Sequence, residues 1–110
     1  MALAEQVYRL SARFPKDEVY GMTSQMRRCA VSIAANIAEG HGRESSGSFI
    51  QFLRMSQGSL KELETHLVLA ERVRLAKEED MAPLLKLCDE LGKMLRSLIR
   101  SIQRRQSDEH

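Results

Sequence analysis

From Ser24 to Glu44 the chain reads S-Q-M-R-R-C-A-V-S-I-A-A-N-I-A-E-G-H-G-R-E, and coiled as a helix this segment has no ordinary solvent-facing side. At about 100° per residue it sorts into three arcs. Met22, Met26, Cys29, Ala30, Ile33 and Ile37 form a large apolar stripe, while Val31, Ala34, Ala35 and Ala38 form a second surface of small residues. Gln25, Arg28, Ser32, Asn36 and Glu39 fall on a third, polar arc. A helix on the surface of a lone domain carries one apolar stripe against a mixed, charged back. One that is apolar on two sides is surrounded, so this segment predicts a chain that associates.

The remaining patterning is helical throughout. With 110 residues the chain makes one domain, able to bury very roughly 65% of its unfolded surface without metal or disulfide staples. It has no Trp and only 5% aromatic residues, and the Leu, Ala, Met, Glu, Lys and Arg that dominate favour helix. The first helix is expected over 2–13, with Leu3, Val7, Leu10 and Phe14 on one face and Pro15 ending it. The second, over 23–40, takes Thr23 or Ser24 as its cap and Gly40, in a left-handed conformation, as its end. The third, over 46–73, is capped by a serine of the Gly40–Ser48 loop and buries Phe49, Phe52, Leu53, Leu60, Leu63, Leu67 and Ala70. Ile50 and Val68 lie to one side of that stripe, and Met55, Gly58 and Leu69 lie behind it. Gly58, at a helix-interior position where glycine costs about 1 kcal/mol relative to alanine, predicts a close approach by another backbone. The fourth helix, over 78–106, opens on the acids Glu78, Glu79 and Asp80, tolerates Pro83 only within its first turn, and frays after Arg105. Short links between long helices predict an all-α, antiparallel, up-and-down four-helix bundle.

Charge and cysteine usage narrow the partners. A net charge of +2 and a pI near 8.7 fall short of an overtly nucleic-acid-binding composition, so distribution matters more than the total. Lys86, Lys93, Arg96, Arg100 and Arg104 share an arc of about 80° opposite the leucine stripe of the fourth helix. Such a stripe can track phosphates or stand as a solvated face, and Asp89 and Glu90 interrupt it. Without interleaved aromatics, any nucleic-acid contact there is backbone-led. Cys29 and Cys88 lack CxxC spacing and lie on apolar stripes, which reads as core thiols in a reducing compartment. No long apolar run or secretory signal is present, and the expectation is a cytoplasmic chain without a membrane span.

Catalytic chemistry has little to build on. No H-E-x-x-H, G-x-S-x-G or Walker sequence occurs, and no Glu-x-x-His pair of a di-iron bundle. Glu62 and His66, one turn apart, supply two ligands on one helix, which is short of a metal site and reads as hydrogen bonding; neither metal nor cofactor is expected. The polar arc of helix two (Gln25, Arg28, Ser32, Asn36, Glu39) packed on Ser59, Glu62 and His66 makes either a network that fixes helix register, with Arg28 paired to Glu62, or a ligand groove. The loop with Gly42 and Arg43 offers free amides ahead of a helix, suited to a phosphate but equally to capping.

A set of residues between Val7 and Ala70 carries a resemblance. Phe14-Pro15, Gln25-Met26-Arg27-Arg28, Ser32-Ile33, Asn36-Ile37-Ala38-Glu39-Gly40, Gly42-Arg43, Phe52-Leu53 and Gly58-Ser59-Leu60 with Glu62-Leu63-Glu64 resemble the bacterial four-helix-bundle family of 23S rRNA intervening-sequence proteins. That resemblance implies a small cytoplasmic protein assembled as a homo-oligomeric ring, typically a pentamer, with no established enzymatic activity. It also implies RNA, or a nucleic-acid-bound protein such as a reverse transcriptase, as the partner. One departure is visible: where relatives carry a glycine-containing turn after helix three, this chain has Arg72-Val73-Arg74-Leu75. The leading expectation is therefore a non-catalytic adaptor whose basic fourth helix faces the partner, and the alternative is a protein-interaction module with that stripe merely solvated.

Overall fold

The computed structural model describes residues 2–108, the side chains of Val19 and Tyr20 aside. Among these residues there are four α-helices and no strand: α1 Ala2–Ser11, α2 Ser24–His41, α3 Ser46–Arg72 and α4 Glu78–Asp108. α1 packs on α2 and α4, and α3 packs on α2 and α4, so α2 and α4 occupy opposite corners of the bundle. The rod measures 54 × 23 × 18 Å. At 1.5 Å per residue α4 runs most of its length and α3 about three quarters of it, whereas α1 covers only about a third. None of the helices is long and apolar enough to cross a membrane.

The core follows the apolar periodicity, except that Phe49 and Phe52, expected to be buried, are only half-buried at the open end of α3. Leu3, Val7 and Leu10 of α1, Met26, Cys29, Ala30 and Ile33 of α2, Leu53, Leu60, Leu63, Leu67 and Ala70 of α3, and Met81, Leu84, Cys88, Leu95, Ile99 and Ile102 of α4 form one buried cluster. Both cysteines are free and buried, as expected of core thiols. Burial pushes the Cys88 thiol up to about 12, with the Glu64 charge adding to the effect.

Helix ends depart from expectation in instructive ways. α1 closes two residues early. A 3-10 turn (Lys16–Glu18) and a link kinked at Gly21, whose φ −100° and ψ −111° are not helical, then lead into α2, with the Glu18 carboxylate accepting from the Met22 amide at 3.4 Å. Beyond the kink Thr23 already has helical dihedrals (φ −58°, ψ −50°) and makes no side-chain cap, and its hydroxyl is buried without a hydrogen-bond partner among the described residues. Gly40 does not terminate α2 by turning left-handed: the helix continues to His41, and Gly42 caps it at φ −83°. The need for glycine at 40 is steric, since a Cβ there would lie 2.9 Å from Phe49 Cδ1 and 3.2 Å from Phe52 Cβ.

Ser45 caps α3 as expected, accepting from the Ser48 amide at 3.1 Å. Where relatives use glycine, Arg74 itself takes the left-handed conformation, at φ 64°. The Leu75 amide donates to the Ala70 carbonyl at 2.9 Å and the Arg74 amide to the Glu71 carbonyl at 3.0 Å, the paired bonds of a Schellman closure. Pro83 is the sixth residue of α4, one turn deeper than expected, at an exposed position. The helix also persists past Arg105 to Asp108.

Candidate functional site

The polar arc of α2 meets α3 along a seam whose register is set by short hydrogen bonds. Ser32 Oγ and Ser59 Oγ share a bond of 2.8 Å, and Asn36 Nδ2 donates to the Ser32 carbonyl at 2.9 Å and to its hydroxyl at 3.1 Å. Ser56, fully buried, donates to the Ile33 carbonyl at 3.0 Å. Sequence reasoning missed Ser56 because a serine among leucines carries no partner information; only the facing helix supplies one. Of the polar arc, Ser32 and Asn36 are bonded in this way, with Ser59 and Ser56 of α3 facing them.

Toward the N-terminal end of α2 the seam changes character. Glu62 and Arg28 do not pair as expected: Arg28 is exposed, and the ion-pair partner of Glu62 is His66, with Oε1 3.8 Å from Nε2. Cys29 completes a cluster with them, one donor atom from each of the three residues lying within 4.8 Å of the others. The Cys29 thiol is pushed up to about 11, chiefly by burial and then by the Glu62 charge. His66 Nε2 is buried and has no hydrogen-bond partner among the described residues. Gln25, at the head of the arc, is half-buried. Arg27, to which the sequence assigned nothing, bridges α2 to α1: its Nε donates to Ser11 Oγ at 2.9 Å and its guanidinium lies 4.6 Å from the Tyr8 ring centroid.

The loop after α2 is accounted for by capping. The Gly42 and Arg43 amides donate to the Glu39 and Gly40 carbonyls at 3.1 Å each. The Arg43 guanidinium pairs with Glu39 at 3.2 Å and lies over the Phe52 ring at 4.6 Å. Its charge is therefore shared with a neighbour on the same surface.

On α4, Lys86, Lys93, Arg96, Arg100 and Arg104 are all exposed. From Lys86 to Arg104 they span about 27 Å along one edge. Asp89 pairs with Lys93 at 3.2 Å, an exposed contact of little energetic weight. Arg100 and Arg104, with Gln103, Ser107 and Asp108, line a shallow hollow near the end of the helix.

Large apolar side chains remain uncovered on the α2–α3 side. Val31 of α2 and Met55 of α3 are about half exposed, as is Val73 just beyond α3, and Leu69 is exposed with them. Met55, Gly58, Glu62, Leu69 and Val73 recur at i, i+3, i+7, i+14 and i+18, a single stripe. A Cβ on Gly58 would meet nothing within 4 Å, so within the chain no backbone approaches it.

Known structures and sequences bear on this architecture. No curated protein matches the chain. The crystal structure of a protein of unknown function from the S23 ribosomal protein family of Bacteroides thetaiotaomicron superposes with a TM-score of 0.73 at 24% identity, covering 88% of this chain and 97% of that one. That likeness supports the fold. The model of the 23S rRNA-intervening sequence protein family matches residues 1–97, nearly the whole bundle, and the chain belongs to that family.

Proposed function

We propose that this chain is a non-catalytic adaptor that assembles through the α2–α3 side into a homo-oligomeric ring and binds structured RNA along the outer edge of α4. The observation that carries the RNA reading is the row of five exposed cations on one helix edge, only one of them engaged by Asp89. A row of this kind suits a phosphate backbone: each phosphate neutralised releases counterions, adding about 0.7 to 0.9 to the slope of log affinity against log salt. The family's name, which refers to an intervening sequence of 23S rRNA, supports RNA as the polyanion. Self-association is supported by the exposed apolar side chains of Met55, Leu69 and Val73 on a stripe that only Glu62 interrupts with charge, beside Val31, Ala35 and Ala38. Five subunits is the number implied by the family resemblance.

The test of the RNA reading is affinity for a structured RNA across a salt series, for the wild type and for Arg96→Glu, Arg100→Glu and Arg104→Glu combined. The triple variant is expected to bind more weakly and with a salt slope shallower by about 2 to 3. Equal affinity and slope would remove α4 from the account and leave a protein partner as the reading.

A further inference from the structure

We infer that Cys29, Glu62 and His66 form a binding site for a divalent transition metal of the zinc class, clasping α2 to α3. The sequence offered only Glu62 and His66, two donors on one helix; the α2–α3 register brings a thiol from the facing helix to them. Sulfur, nitrogen and oxygen donors in this combination belong to zinc chemistry, and the thiol disfavours magnesium and calcium. Bond lengths of about 2.0 to 2.3 Å place the donor atoms of a tetrahedral site roughly 3.5 Å apart. The three donors now lie within 4.8 Å of one another, Glu62 Oε1 already 3.8 Å from His66 Nε2, so small side-chain adjustments of the three bring them onto one ion, and Glu62, 59% exposed, is free to move.

A second observation points to a ligand independently. His66 Nε2 is buried although the side chain as a whole is 20% exposed, and no described protein atom hydrogen-bonds to it. A buried nitrogen left unsatisfied is costly, and a metal bond removes that penalty. Three protein donors leave a fourth position for water on the side where Glu62 opens to solvent. Binding displaces the proton from the Cys29 thiol to solvent and leaves the oxidation state of every partner unchanged.

The experiment uses the full-length protein freed of metal by a chelator and titrated with Co²⁺, followed by Zn²⁺. Thiolate-to-cobalt charge-transfer absorption and intense tetrahedral d–d bands are expected, saturating at one equivalent and bleached by Zn²⁺. Cys29→Ser abolishes the charge-transfer band and Cys88→Ser keeps it. His66→Gln and Glu62→Gln, on partly exposed positions that leave the helix content intact, weaken binding by about tenfold or more. Excess Zn²⁺ raises the melting temperature of the wild type by about 4 °C or more, and not that of His66→Gln. Absence of the cobalt bands at millimolar metal, or His66→Gln binding as tightly as wild type, would overturn the proposal. So would a band that follows Cys88 in place of Cys29.

Discussion

Replacing Gly40 with alanine places a methyl against Phe49 and Phe52 of α3, and two opposing effects decide the outcome. Alanine in a helix interior is favoured over glycine by about 1 kcal/mol. Against this, the new Cβ would stand 2.9 Å from Phe49 Cδ1 and 3.2 Å from Phe52 Cβ. The Phe49 ring can yield a little, since it is half-buried and tilted against His41 with centroids 4.9 Å apart. Phe52 Cβ is fixed by its own backbone, so relief requires the two helices to part. Overpacking of this kind costs about 1–3 kcal/mol. The net expectation for Gly40→Ala is a loss of about 1 kcal/mol, a fall of roughly 4–8 °C in melting temperature. Gly92→Ala is the matched control. It too is a buried glycine inside a helix, but its added Cβ would meet only the flexible end of Arg96 at 3.4 Å and Leu60 Cδ2 at 3.5 Å. Urea unfolding followed by circular dichroism should show opposite signs, Gly40→Ala less stable than wild type and Gly92→Ala more stable by up to about 1 kcal/mol. If both variants gain equally, the close packing of α2 on α3 at Gly40 is refuted.

Three further outcomes are expected. Arg74→Gly, relieving a left-handed arginine that costs about 1–2 kcal/mol, should stabilise the chain by roughly 0.5–1 kcal/mol in thermal unfolding, while Arg74→Ala, equally strained, should not. Met55→Glu with Leu69→Glu should lower the mass measured by analytical ultracentrifugation to that of one chain while preserving helical circular dichroism; an unchanged mass would exclude this stripe from assembly. For Cys88, the folded thiol stands at about 12 against an ordinary value of 9.0, so the folded state holds the proton more tightly than the unfolded one. The resulting stability is fully present below pH 9 and is lost as pH rises toward about 12, so wild type should lose stability over that window more steeply than Cys88→Ala.

The four helices were legible because their cores obey one rule, an apolar residue every three or four positions, and the long runs of Leu in α3 and α4 leave no competing period. What was not legible depends on a second helix. Gly40 was read as a terminator from its residue type alone, whereas the reason for glycine is the pair Phe49 and Phe52, nine and twelve residues further along. Arg74 shows the converse: a left-handed closure held by Leu75 and Ala70 without the glycine that would have announced it. Thr23 failed as a cap because its own dihedrals are already helical, the break in the chain falling two residues earlier at Gly21. In the seam, Glu62 and His66 were visible as an i, i+4 pair, but Cys29 joins them only through the register that Ser32 and Ser59 fix. The signal that could have found it was the position of Cys29, three residues before Ser32 on the same flank of α2.

The proposed surfaces do not compete for the same side of the molecule. Because α2 and α4 touch the same two neighbours and occupy opposite corners, a subunit contact made by α2 and the α2 side of α3 leaves the outer edge of α4 uncovered. Self-association by this route would multiply the basic edges without burying them. Multiplying rows raises the affinity for one long RNA through effective concentration, without any new contact, provided the RNA spans two edges. Under the proposed function, assembly is a condition of tight RNA binding, and the two faces can be separated experimentally. A variant broken at Met55 and Leu69 should keep the salt slope of a single row and lose overall affinity, whereas charge reversal on α4 should leave the assembled mass intact and flatten the slope. If reversal at Arg96, Arg100 and Arg104 dissociated the assembly, the basic edge would lie in the subunit contact, and the division of labour between the two faces would fall.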